Sequence, residues 1–202
     1  MYTQEEYEKL KSAVTKIELL EGQDNEIGNY ENAVLICLDA VLSINRKYYS
    51  FVVPRIKSFQ ENYSNINTLS KLQDLIKNSS VEQFSKIWNY NHPQRIEILT
   101  TLISKLIKCA DIKHSDSSEI ELNKLYSWAN SINARDYKVF NVPGIGIATY
   151  QYIRMLLKAK TVKPDIHIKR YISSVLNRRL NEYDMIDIFV FLKLNIRKIN
   201  AF

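Results

Sequence analysis

Pro143-Gly144-Ile145-Gly146 and Asp165 are the residues whose types and spacing could do chemistry in this chain. Two of the four glycines fall within three residues, between helical patterns, so the segment reads as a tight hairpin. Without side chains there, a partner can approach the backbone, and the helix that follows begins with unpaired N–H groups. Those amides and the helix dipole suit a phosphate. An ordinary glycine turn between two helices uses the same residues, and spacing alone does not separate the two readings. Asp165 follows Pro164 and precedes a helical pattern, the place of a helix N-cap.

The elements that must position these residues read as helices throughout. Thr3-Gln4-Glu5-Glu6 has the form of a capping box and opens a helix with Tyr7, Leu10, Val14, Ile17 and Leu20 on one face. Residues 30–44 are nearly continuous in apolar side chains, which predicts a central, buried helix. A third helix follows Asn45 and carries Tyr48, Tyr49, Val52 and Val53, with a kink expected at Pro54. Leu69 to Ile76 has the period of a short helix, and Ser79-Ser80 caps another that runs to Trp88. Pro93 suits the first position of a long helix reaching Ile107, and Ser115 to Ser118 separates it from a helix ending near Ile132. A short helix over 134–140 precedes the hairpin, and helices over 147–158, 165–177 and 183–199 follow it. The pattern predicts roughly ten helices, with no repeat, low-complexity tract or strand pair.

Composition agrees. Four glycines and four prolines in 202 residues are few for a sandwich or barrel, and 46% hydrophobic residues exclude a disordered chain. Cys37 and Cys109 are isolated and predict two buried, reduced thiols rather than a disulfide framework. His92, His114 and His167 lack metal-ligand spacing, so no zinc site is expected. The start is acidic where a signal peptide needs base, and the longest apolar run, 33–38, is far too short for a membrane helix. A cytoplasmic protein without membrane association is expected. The net charge of +6 divides into −6 over residues 1–40 and +12 over 41–202. Within 135–170 eight basic residues face only Asp136 and Asp165, the footprint of a polyanion partner as well as of a solvated basic face.

Val142-Pro143-Gly144-Ile145-Gly146-Ile147-Ala148-Thr149-Tyr150 resembles the hairpin of the helix-hairpin-helix DNA glycosylase superfamily, the group of endonuclease III and the adenine and 8-oxoguanine glycosylases. Nineteen residues beyond Gly146, Pro164-Asp165-Ile166-His167-Ile168-Lys169-Arg170 resembles that family's second signature. Leu42-Ser43-Ile44-Asn45 resembles, more weakly, a segment ending in the residue that fills the duplex after base flipping. The likeness covers roughly residues 30 to 180 and is concentrated in 140–171.

The resemblance implies an all-α, glycosylase-like fold of two interleaved helical subdomains flanking a cleft: a barrel domain over 30–159, and 1–29 with 160–202 as the second. It implies a monomer on double-stranded DNA, hydrolysing the N-glycosidic bond of a flipped, damaged or mismatched base, at the nucleoid if the cell is bacterial. Asp165 would be the catalytic carboxylate, offsetting positive charge on the sugar and orienting or deprotonating water. Gly144, Gly146, Ile147 and Thr149 would meet phosphate, Asn45 would be the wedge, and Lys169 and Arg170 would bind DNA, with Arg154, Lys158, Lys160 and Lys163 adding grip. Tyr48 and Tyr49 are stacking surfaces or core aromatics. The main-chain carbonyls of Phe140, Val142 and Ile145 would hold a structural K⁺ or Na⁺, and no other cofactor is required. The family's strand-cutting members carry a lysine where Ala148 stands, so no β-lyase activity is expected. No cysteine follows Cys109, so the iron–sulfur cluster is absent from the expectation. The acidic start is expected to avoid DNA and could shield the cleft. The competing readings are a non-catalytic helix-hairpin-helix protein that binds damaged or structured DNA, with Asp165 only a cap, and a helical scaffold.

Overall fold

The computed structural model describes residues 3–21, 28–164 and 166–199. Their regular structure is all helical, with no strand among the described residues and no helix long and apolar enough to cross a membrane. The chain divides into two compact units, Gly28–Ala159, and Met1–Ile27 with Lys160–Phe202.

The larger unit is built around helix α2 (Ala33–Leu42), all ten residues of which are buried. The helix is apolar on every side except at Asp39, so it can sit only at the centre of other helices. Around it pack α3 (Val53–Asn62), α4 (Leu69–Lys77), α6 (Pro93–Cys109), α7 (Ser118–Ser131) and α9 (Ile147–Leu156). The short α5 (Val81–Ile87) lies against α6, and α8 (Tyr137–Phe140) leads into the hairpin. Ile96, Leu99, Leu102, Ile103 and Leu106 form the buried stripe of α6, at spacings of three and four residues. Each such side chain contributes about 1.5–3 kcal/mol by leaving water. Helix starts follow local capping chemistry: Asn32 accepts the Leu35 N–H, Thr68 the Lys71 N–H, Ser117 the Ile120 N–H, and Ser80 with Gln83 forms a reciprocal box. From α7, the buried Glu121 accepts the Leu69 N–H at 2.8 Å and so holds the start of α4. Burial raises the pKa of its carboxyl.

Three expectations change in this unit. The central helix begins at Ala33, because Asn32 caps it. Residues Tyr48–Val52 form a π-helical turn ahead of α3, and Pro54 falls in the first turn of α3. The Phe51 and Val53 N–H groups already donate to the Lys47 and Tyr48 carbonyls, so Pro54, which has no N–H, falls within a continuous helical stretch where the winding changes from π to α. Cys37 is buried but Cys109, at the end of α6, is exposed.

In the smaller unit α1 (Gln4–Glu21) packs on α10 (Ile166–Val175) and α11 (Glu182–Ile199). Thr3 and Glu6 form the expected capping box. Leu10, Ala13, Ile172, Met185, Ile188 and Leu192 are among its buried apolar residues, and Tyr7 meets Phe191 edge to face at 6.0 Å. The expected apolar positions Val14, Ile17 and Leu20 lie outside the described side chains.

Candidate nucleic-acid interface

The hairpin is a tight turn with a defined hand. The Ile145 N–H donates to the Val142 carbonyl at 3.0 Å, with Pro143 and Gly144 as the central pair. Gly144 has φ +81°, which a side-chain-bearing residue adopts only under strain, and proline pre-sets the residue before it. A Cβ on Gly144 would stand 2.4 Å from Ile98 Cδ1, so this glycine is pressed against α6. Gly146 differs: its φ is −83°, and a Cβ there would meet nothing within 4 Å. It is the N-cap of α9 and supplies no side-chain acceptor, so the first amides of α9 face outward uncapped. Open space is thus a property of Gly146, with Ile147 and Thr149 half-buried behind it, while Gly144 shapes the turn. Val142 and Ile145 anchor it by buried side chains.

The suggested carbonyl set has one member in use, since Val142 accepts the turn bond and keeps only its second lone pair. Phe140 is the last residue of α8, so its carbonyl lies beyond the helical ladder, a chemistry that fits a monovalent cation.

Asn45 stands exposed in the turn after α2 with φ +55°, a left-handed conformation that asparagine tolerates. Its backbone is held on both sides. Arg95 donates to the Ile44 carbonyl at 3.2 Å and Arg46 to the Asn45 carbonyl at 3.0 Å. Arg46 also donates to the Tyr90 hydroxyl at 2.9 Å, and Arg55 stacks 3.7 Å above the Phe51 ring. Two arginines therefore flank the wedge candidate.

Beneath this turn lies a polar group that the sequence reading missed. Asp39, 0% exposed, accepts the hydroxyls of Tyr30 at 2.5 Å and Tyr48 at 2.8 Å on one oxygen, and of Tyr152 at 2.9 Å on the other. An ionised carboxylate is purely an acceptor, so three phenolic donors match it. Burial first, then the Asp39 charge, pushes the Tyr48 phenol up to about 12. The same causes raise Tyr30 and Tyr152 further. Tyr48 is thus half-buried and committed to Asp39, whereas Tyr49 is 59% exposed and meets the Tyr48 ring edge to face at 5.7 Å. The signal was present as the single charge in an apolar helix of a tyrosine-rich chain.

No family model, curated protein or solved structure matches this chain.

The remaining expected residues divide by unit. Lys169 and Arg170 lie on α10 of the smaller unit, with Lys169 paired to Glu182 and Arg170 exposed. Asp165, the expected catalytic carboxylate, lies outside the described residues. Lys158 is exposed, with its ammonium 5.1 Å from the Tyr126 ring centroid. Arg154 is a correction. It is 6% exposed and donates to the Ala129 carbonyl at 3.2 Å, the Ile132 carbonyl at 2.5 Å and Gln151 at 2.9 Å. Its guanidinium closes the C-terminal end of α7, so it is spent inside the unit and offers nothing to DNA.

Proposed function

We propose that this chain is a monofunctional DNA glycosylase, which flips one damaged or mismatched nucleotide from duplex DNA and hydrolyses its N-glycosidic bond. The observation that carries the reading is the Pro143-Gly144 turn delivering an uncapped α9 into open space at Gly146. A phosphate needs such a backbone approach, and phosphate contacts fix the register of a duplex. A second feature supports it. Asp39 joins Tyr48, three residues after Asn45, to Tyr152 on the hairpin's own helix, so wedge candidate and hairpin belong to one rigidly tied region.

In this reaction water adds to the sugar carbon while the base leaves with the bonding electron pair and is protonated. Asp165 offsets the positive charge that builds on the sugar and takes a proton from the water. Ala148 offers no amine, so no Schiff base forms and the strand stays uncut. The carbonyls of Phe140, Val142 and Ile145 would hold K⁺ or Na⁺, which adds positive charge beneath a bound phosphate. The protein acts as a cytoplasmic monomer.

The test is base release from duplexes carrying a panel of alkylated, oxidised, deaminated and mismatched bases. Wild type is expected to free a base from at least one, Asp165→Asn to bind that duplex without freeing it, and neither to be trapped on abasic DNA by borohydride. Binding without release from any lesion would leave the non-catalytic DNA-binding reading in its place.

A further inference from the structure

We infer that the groove between the end of α10 and the start of α11 is a second seat for the phosphodiester backbone of DNA. The inference rests on the DNA reading above and concerns the unit that lacks the hairpin.

The groove is open and encloses about 540 Å³. Lys169, Arg170, Ser173, Asn177, Arg178 and Arg179 line it, and Leu180 is buried at its edge. Its shape follows from how α10 ends. The Leu176 N–H donates to the Ile172 carbonyl and the Arg178 N–H to the Ser173 carbonyl, while Asn177 turns the chain with φ +49°. Arg178 and Arg179 therefore leave the helix beside Ser173 and Arg170, roughly one and two turns back.

A cation near a helix C-terminus complements the dipole, which accounts for one basic residue there. Four basic side chains in one concavity exceed that need. Among the described residues two carboxylates approach them, Glu182 beside Lys169 and Arg179 and Glu6 at Arg178 across 4.0 Å, and neither pairs with Arg170. The surplus is positive. Neutral Ser173 and Asn177 stand among the cations, and arginine forks with hydroxyl and amide donors are the groups that bind phosphate oxygens. A concavity lined by four cations, hydroxyls and an amide, with Leu180 buried at its edge, suits a linear polyanion better than a lipid surface, which rewards exposed apolar side chains that can insert.

Charge counting on DNA tests this directly, because each phosphate contact steepens the salt dependence of binding by about 0.9 in log–log slope. The full chain is titrated with a fluorescein-labelled duplex across a salt series, as wild type, as Arg178→Gln/Arg179→Gln, as Arg178→Lys/Arg179→Lys and as Gly146→Ala. The glutamine variant is expected to lose about 1.8 from the slope, the lysine variant to keep it, and thermal melts of both to match wild type. Should the glutamine variant melt early, Arg170→Gln is read instead, with an expected loss of about 0.9. A wild-type slope in the folded glutamine variants overturns the groove and leaves the hairpin reading intact, especially if Gly146→Ala still weakens binding. Absence of any salt-dependent binding by wild type overturns both.

Discussion

Tyr152 donates its hydroxyl to the fully buried Asp39 at 2.9 Å, joining α9 to α2 across 113 residues of sequence. Tyr30 and Tyr48 complete the set from the chain just before and just after α2. One carboxylate thus fixes the central helix, the turn bearing Asn45 and the helix that the hairpin opens. Three hydroxyl donors stand in for the hydration that burial takes from this carboxylate.

Asp39→Asn tests that dependence. An amide retains one acceptor oxygen but turns two donors toward phenols that also donate, so at least one buried hydroxyl loses its partner. Each such loss costs about 1–3 kcal/mol. At about 2–4 °C per kcal/mol for a chain of this size, the midpoint of thermal unfolding falls by roughly 3–10 °C. Tyr152→Phe removes one donor only and should cost about 1 kcal/mol. Scanning calorimetry of the three proteins gives the order, and an unchanged midpoint in Asp39→Asn would contradict the lock.

The same cluster sets a limit at high pH. An unfolded tyrosine ionises near pH 10, whereas in the cluster Tyr48 is held up to about 12 and Tyr30 and Tyr152 are raised further, and outside it burial holds Tyr150 up to about 12. Raised folded values mean that the native state keeps protons the unfolded state would lose. Stability from these groups is complete below pH 10 and falls as pH rises through 12. Alkaline unfolding is expected in that interval, with tyrosinate absorbance appearing together with loss of helical circular dichroism. Smooth titration of all tyrosines near pH 10 in a folded protein would refute it.

What could be read from the sequence was local. Thr3 with Glu6, Ser80 with Gln83 and Pro93 announce helix starts because a cap and its partner stand within a few residues. The apolar continuity around Leu35 to Leu38 placed α2 at the centre for the same reason, since burial on every face leaves no polar side. Asp39 and Arg154 escaped because their partners are distant. Three phenols converge on the first from separate elements, and the second reaches carbonyls 22 and 25 residues earlier. Periodicity says which face a residue occupies, but not which donors and acceptors the other helices bring to it. The hairpin lay between these cases: its glycines were evident, yet their division of labour needed Ile98, 46 positions before Gly144.

That division predicts opposite outcomes for the two glycines. Gly144→Ala must place a Cβ at φ +81° and displace Ile98, so it should cost roughly 1–3 kcal/mol, of which Ile98→Ala in the same chain recovers only the steric part. Gly146→Ala meets open space at an ordinary φ and loses at most about 0.5–1 kcal/mol as a poorer N-cap. Its effect should fall on DNA affinity, reduced roughly tenfold by a methyl group where phosphate approaches. Urea unfolding with duplex titration separates the two. Loss of stability in Gly146→Ala with affinity intact would reverse the assignment.

Arg154 supplies the sharpest separation between charge and function. Its sequence position among basic residues suggested DNA, but its three hydrogen bonds lie within the larger unit. Arg154→Ala leaves the Ala129 and Ile132 carbonyls without this donor, and charged donors to buried carbonyls are worth about 1.5–3 kcal/mol each. A net loss of roughly 2–4 kcal/mol is expected. Arg154→Lys should recover little, since an ammonium cannot span the two carbonyls and Gln151 as a planar fork does. Measured well below its melting point, either variant should bind duplex DNA with the salt slope of wild type, because no phosphate contact is lost. A shallower slope with unchanged stability would instead return Arg154 to the DNA-binding surface.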